Sequence, residues 1–269
     1  MSPEQPTNFL KENLKYFIEG IVIFASVLFS FYIGNLNDKQ SNIKTKNMFV
    51  SDLIESLNDD VEQIDNLLDV LNESEQLINL LQNDIESGHQ LMSNQTVIDN
   101  LIKVEVGFSF FPKDGVYNQL ISTGAFELIN SSELKNILLE MYGHQNARNF
   151  ATSNEIDLFN LDFRKIPYEM FRIRFDYDML NGEFYGSRRL TNFKFDRNFY
   201  MSNKFYGLLS QAKLYSNMYK RLLRDIQESY KMAISLAKQE LVMWVQIKST
   251  YEENRNIRRD EFGLDHRVL

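Results

Sequence analysis

From Gly20 to Asn37 the chain runs 18 residues without a charge, rich in Ile, Val, Phe and Leu. No other feature restricts its fold as strongly. Tyr16, Phe17 and Ile18 extend the apolar run upstream, with Glu19 as the one interruption. Coiled into a helix at 1.5 Å per residue, residues 16–37 reach about 33 Å, enough for the hydrocarbon core of a bilayer. A buried core helix and a cleaved signal sequence are the competing readings. The signal-sequence h-region is normally shorter, and Tyr32-Ile33-Gly34 lacks the small-x-small pattern of a cleavage site. The segment is therefore read as an uncleaved transmembrane helix, with the lipid bilayer as its first partner. Lys11 and Lys15 precede it while Lys39, Lys44 and Lys46 follow. That near balance leaves orientation undecided by charge.

One face of this segment differs from the rest. Glu19, Ser26, Ser30, Gly34 and Asn37 fall within about 80° of arc at 100° per residue. Ser26, Ser30 and Gly34 form a small-xxx-small series that lets helix backbones approach closely in lipid. Glu19 and Asn37, costly against hydrocarbon, should face protein or snorkel to the interfaces. The stripe predicts self-association or pairing with another membrane protein. Small residues are common in such helices, so chance is the competing account.

Beyond the anchor, Val50, Ile54, Leu57, Val61, Ile64, Leu68 and Leu71 alternate spacings of four and three, continued by Ile78 and Ile85. The heptad seam predicts a helix over 45–87. Leu53, Leu67, Val70, Leu77 and Leu81 widen the stripe to that of a bundle helix. No Pro or Gly separates it from the anchor after Gly34, so the two can form one rod. Gly88 ends it; a short helix follows over 96–103, and residues 104–112 read as loop or a brief extended stretch. Asp114 is placed to cap a helix to Thr123 with Gly124 behind it, and Ser131 or Ser132 to cap the next. Helical character then continues with interruptions, and Pro167 is expected to kink or break it. Asn181-Gly182 is a turn signal. A long helix follows over 202–253, its apolar side including Leu208, Ala212, Tyr215, Tyr219, Leu222, Ile226, Tyr230, Ile234, Leu241 and Trp244.

These elements predict an all-α protein: an N-terminal transmembrane helix, continuous or nearly so with a long helix, followed by an elongated helical bundle. The expected segments are a short tail over 1–15, the membrane helix over 16–37, the bundle over 38–253 and a polar tail over 254–269. Only 4 prolines and 11 glycines in 269 residues suit long helices better than a turn-rich β fold.

Charge is segregated along the chain. Residues 47–102 hold twelve Asp and Glu and no Lys or Arg, whereas 163–224 hold thirteen Lys and Arg against five acids. Opposite signs suit antiparallel packing of the two long helices; the alternative is an acidic helix that takes a basic partner. A net charge of −8 argues against nucleic acid, since phosphate binding needs clustered positive charge.

The run Glu19-Gly20-Ile21-Val22-Ile23-Phe24-Ala25-Ser26, closing on Asn35-Leu36-Asn37-Asp38, resembles an uncharacterised family of bacterial single-span membrane proteins. Their anchors open with Glu and end in an Asn-Asn-Trp-Asn-Glu-like motif; here Gly34 and Leu36 stand at the first Asn and the Trp. A second similar block is Val116-Tyr117-Asn118-Gln119-Leu120-Ile121-Ser122-Thr123-Gly124, with Leu128-Ile129 and Leu134 to Tyr142. The two blocks span roughly the first 145 residues. The resemblance implies an N-terminal anchor with the helical domain outside the cytoplasm, and it supplies no activity.

Signals for chemistry are few. The absence of cysteine excludes disulfides, thiolate metal sites and a cysteine nucleophile. His89, His144 and His266 show no metal-ligand spacing, and no P-loop, dinucleotide fingerprint or hydrolase elbow occurs. The expectation is a protein that is not an enzyme and holds no cofactor or metal. Between Phe171 and Tyr206, aromatics alternate with Arg172, Arg174, Arg188, Arg189, Lys194 and Arg197. Such interleaving can contact an anionic ligand or partner. It equally suits an aromatic plug at one end of a bundle with the basic heads in water. The leading expectation is a membrane-anchored interaction or scaffold protein, or accessory subunit, in the cell membrane with its domain periplasmic. The alternative is an extracytoplasmic sensor that binds a ligand between helices, with 171–206 as its lid, and signals to a membrane partner.

Overall fold

The computed structural model describes residues 7–178 and 187–261, with side chains over 18–176 and 189–242. In chain order lie α1 (Thr7–Glu86), α2 (Asn94–Lys103), α3 (Gly115–Ser122), α4 (Ser132–Leu139) and α5 (Asn146–Met170). Strands β1 (Arg174–Asp178) and β2 (Ser187–Asn192), then α6 (Arg197–Tyr200) and α7 (Asn203–Glu261), complete it. The fold is all-α apart from one hairpin. The apolar segment and the heptad helix are one uninterrupted 80-residue rod, α1.

α1 and α7 pack antiparallel along the bundle. Lys46 meets Glu240 at one end, Asp65 meets Gln227 and Glu75 meets Lys220 in the middle, and Gln82 meets Ser210 at the other. The acidic and basic helices are therefore neighbours, though few contacts between them are ion pairs. Among the described side chains of α1, every residue from Ile18 to Ser41 is exposed and burial begins at Lys46. By length and composition α1 carries a helix able to cross a membrane.

The seam of α1 lies one residue away from part of the expected stripe. Val50, Leu53, Leu57, Asp60, Ile64, Leu68, Leu71, Ser74, Ile78 and Leu81 are buried, while Ile54 and Val61 are only half-buried. Two polar residues, Asp60 and Ser74, thus occupy core positions. On α7 the buried line runs through Phe205, Leu209, Ala212, Ser216, Tyr219, Leu223 and Ile226, with Leu208, Tyr215 and Leu241 at its edge. Trp244 lies outside the residues whose side chains are described.

Gly88 closes α1 as expected. At φ 77° it takes the left-handed conformation, its N–H reaching Ile85 O at 3.0 Å and that of His89 reaching Asp84 O at 2.8 Å. This is a Schellman cap, in which the two bonds satisfy carbonyls that the last turn leaves open. Ser93 caps α2 and Ser131 caps α4 through their hydroxyls. Asp114 precedes α3 but makes no side-chain cap; its backbone is helical there rather than extended. A π-turn over Glu140–Gln145 joins α4 to α5. Pro167 does not break α5, which runs to Met170. So close to the C-terminus its missing N–H removes one helical bond and leaves the turns before it intact.

The hairpin is the departure from an all-helical reading. β1 and β2 pair antiparallel, with Asp176 opposite Arg189 and Tyr177 opposite Arg188. Phe175, Tyr177, Leu190 and Thr191 carry the alternation and side-chain types that favour strands. The Asn181-Gly182 turn signal falls between them, outside the described residues. At the other end of the chain α7 stays helical to Glu261, through part of the expected polar tail.

Candidate functional site

The small-residue face of α1 singled out by spacing is geometrically simple. Ser26 Oγ donates to Val22 O at 2.7 Å and Ser30 Oγ to Ser26 O at 2.9 Å. Each hydroxyl is thereby satisfied by its own helix, so what the stripe offers a neighbour is mainly closeness of backbone. Gly34 has nothing within 4 Å of where a Cβ would stand. Ser26, Ser30 and Gly34 line a shallow trough with Val22, Phe31 and Asn35 as flanks. Glu19 and Asn37 lie at the two ends of the same exposed stretch.

The residues between α2 and α3 form the most unusual part of the domain. Val104, Val106 and Phe110 are buried, yet residues 104–114 are neither helix nor strand. A buried backbone must find hydrogen-bond partners, and here the helices supply them from polar side chains at seam positions. Glu105 N donates to Ser74 Oγ at 2.8 Å, and Phe110 N to Tyr219 OH at 2.8 Å. Asn160 Nδ2 donates to Gly107 O at 3.3 Å and Asn149 Nδ2 to Phe110 O at 2.9 Å. Lys113 N donates to both oxygens of Asp60, at 3.2 and 3.0 Å. Gly107 is required at the closest approach, since a Cβ would stand 2.5 Å from Ile156 Cγ2. Sequence reading missed this arrangement. Its signal was present in the polar residues at heptad positions, Asp60 and Ser74 on α1 and Asn149, Ser153 and Asn160 on α5.

Beside this segment, α1 and α5 diverge around a cleft of about 980 Å³. Leu67, Val70, Phe108, Phe111 and Leu161 supply its apolar walls, and Asp59, Asp60, Glu62 and Asp157 its acids. Its two bases are engaged: Lys113 Nζ lies 2.7 Å from Asp59, and Arg164 pairs with Glu105. Burial pushes the Asp60 carboxyl up to about 6; the Lys113 N–H and ammonium pull it back, and Asp59 adds to the rise. Asn160 Oδ1 and Arg164 Nε are buried without a hydrogen-bond partner.

At the end of the bundle remote from the anchor, Asp84 gathers four donors. His89 Nδ1 lies 2.6 Å from its carboxylate, Tyr200 OH donates at 2.8 Å, and Leu91 N and Met92 N donate at 2.8 and 3.0 Å. Burial favours the neutral acid, but these bonds together outweigh it and hold the carboxyl below its ordinary range. Desolvation and Asp84 push the Tyr200 phenol up. Rings of Phe171, Phe195, Phe199, Tyr200 and Phe205 pack around this knot. The arrangement ties the chain reversal after α1 to the start of α7.

The six basic residues read from the sequence sit around that aromatic end rather than at the cleft. Arg172, Arg174, Arg189, Lys194 and Arg197 are exposed. Arg197 Nη2 donates to Gly88 O at 2.8 Å, and Arg189 lies 3.6 Å from Asp176 across the hairpin. The side chain of Arg188 falls outside those described. None of the cleft's lining comes from 171–206. Among the described residues no group of three or more His, Asp or Glu is placed to hold a metal ion.

The family model of a family of unknown function (DUF6090) matches residues 19–161, more than half of the chain. The chain belongs to this family. The DUF6090 match opens at Glu19, on the small-residue face of α1, and closes within α5. It takes in the acidic part of α1, the irregular 104–114 segment with its buried first half, and most of the cleft, and leaves out the hairpin and α7. No curated protein and no solved structure matches the chain.

Proposed function

We propose that this DUF6090 protein is a single-pass membrane protein, with its helical domain on the periplasmic side, that serves as an interaction scaffold or accessory subunit. The observation that supports it most is the composition of α1. One helix carries an apolar stretch that is exposed among the described residues and, further on, a seam that forms the bundle. A lipid-embedded stretch joined rigidly to a folded domain positions that domain for a membrane partner, and the reading assigns it no catalytic chemistry.

With no cysteine in the chain, a single introduced cysteine reports both address and contact. Ser132→Cys, exposed on the domain, is labelled by a membrane-impermeant maleimide in intact cells if the domain is periplasmic. A photo-crosslinker at Phe31, beside the stripe, captures a neighbouring span, and Ser26→Leu, Ser30→Leu and Gly34→Leu together abolish that capture. Unchanged crosslinking in the triple variant removes the association face from the reading.

A ligand sensor is the second reading, and the cleft is what favours it. In that case the lid would not be 171–206, which lies elsewhere. A small molecule would instead have to raise the melting temperature of the protein through the α1–α5 walls.

A further inference from the structure

Resting on that interaction reading, we propose that the cleft between α1 and α5 docks a short basic, apolar segment of a partner protein. Three observations carry this. The first is the amount of apolar surface left open. Phe111, Phe150 and Leu161 are 71%, 73% and 66% exposed. A second depression of about 200 Å³ shares Ser109, Phe111 and Asp157 with the cleft and extends it to Phe150. Contiguous apolar surface of this kind, rimmed by polar residues, marks a protein contact more often than a bare surface.

The second is charge. Residues 47–102 hold no Lys or Arg, and Lys113 and Arg164 are already paired with Asp59 and Glu105. Glu62 and Asp157 therefore leave the rim negative, and a segment carrying Lys or Arg between apolar residues complements it. The third is the pair of unmet polar atoms. Asn160, nine-tenths buried on the cleft wall, has Oδ1 without a donor, and Arg164, one turn further, has Nε–H without an acceptor. An acceptor and a donor four residues apart are what a peptide group can satisfy, and each costs stability while unpaired.

The occupant is not a second copy. At 100° per residue, Glu55, Asp59, Glu62 and Asn66 fall in about the same 80° of arc as the anchor's Ser26–Gly34 stripe. Two copies packed stripe to stripe would set these acidic faces opposite one another, which disfavours the pairing.

The test uses the full chain in nanodiscs of neutral lipid. Its probe is a fluorescent amphipathic peptide of Lys, Leu and Ala about four turns long, with empty nanodiscs as control. Saturable binding is expected, weakened about tenfold or more by Glu62→Lys with Asp157→Lys, and similarly by Phe111→Ser with Leu161→Ser. All four positions are exposed, and an unchanged circular dichroism melt shows that each variant is folded. A Glu/Leu/Ala peptide of the same length should not bind. Equal binding by the charge-reversed protein, binding of the acidic peptide, or no binding above empty nanodiscs overturns the proposal. So does a disulfide formed between two copies bearing Leu161→Cys, which would make the occupant a second chain. Phe31 crosslinking unchanged by the triple Leu substitution, with peptide binding intact, would instead remove the small-residue face from the reading and keep the cleft.

Discussion

Asp60 offers the sharpest test of how the interior is built. Its side chain is buried at a seam position of α1, and its carboxylate holds the Lys113 N–H at 3.0 Å. Burial raises its pKa from 3.8 to about 6. Between those values the native chain keeps a proton that the unfolded chain has released. The stability linked to this group is therefore fully present below pH 3.8 and is lost as pH rises through about 6. A shift of that size corresponds to about 3 kcal/mol. Asp60→Asn keeps an oxygen for the Lys113 N–H and removes the charge. At pH 8 the variant should be more stable than the parent by about 1–3 kcal/mol, the lost charge-assisted bond offsetting part of the gain. Near pH 4 the two should coincide. Urea unfolding of the full chain in detergent, followed by circular dichroism at several pH values, reads both numbers. A variant less stable than the parent at pH 8, with the same slope between pH 4 and 6, would refute the assignment of Asp60 as a costly buried carboxylate.

Gly107→Ala forces a Cβ to within 2.5 Å of Ile156 Cγ2, and should destabilise by about 1–3 kcal/mol in the same urea titration. Tyr219→Phe removes the acceptor of Phe110 N and leaves that buried N–H unmet. It should cost about 1–3 kcal/mol, and hydrogen exchange at Phe110 should speed up more than that of the α1 core. Both would be wrong if they unfold at the parent's urea midpoint.

What could be read from the sequence and what could not separate along a physical line. Periodicity reports which face of a helix is apolar, so the α1 rod, its antiparallel partner α7 and the Gly88 stop were all legible from local pattern. The same rule hides a polar residue doing core duty. Asp60 and Ser74 look like interruptions of a stripe, and the expected line shifted to Ile54 and Val61, which are only half-buried. Their purpose depends on residues 104–110, whose burial is decided by three helices at once and leaves no periodic trace. The hairpin was missed for a related reason. Its alternation of basic and aromatic residues suits a bundle plug or an anionic contact as well as the two-residue period of a strand. Of the site, the acidic charge of α1 and the small-residue face were legible; the cleft was not, because its far wall comes from α5.

The carboxylates of the domain divide by what surrounds them. Glu240 accepts from Lys46 Nζ at 2.6 Å, from Asn130 N and Ser131 N at 3.1 Å, and from Asn130 Nδ2 at 2.9 Å. Burial opposes its charge, but these donors together hold it below its ordinary range. Its stability is thus present above the unfolded value of 4.5 and lost as pH falls below it, the opposite sense to Asp60. Lys46 is the first buried residue of α1 among those whose side chains are described, so this pair fixes the point where the exposed rod becomes part of the bundle. Removing either partner leaves a buried charge alone and costs about 3–5 kcal/mol. A chain so altered would lose the rigid joint at which the exposed part of α1 enters the bundle.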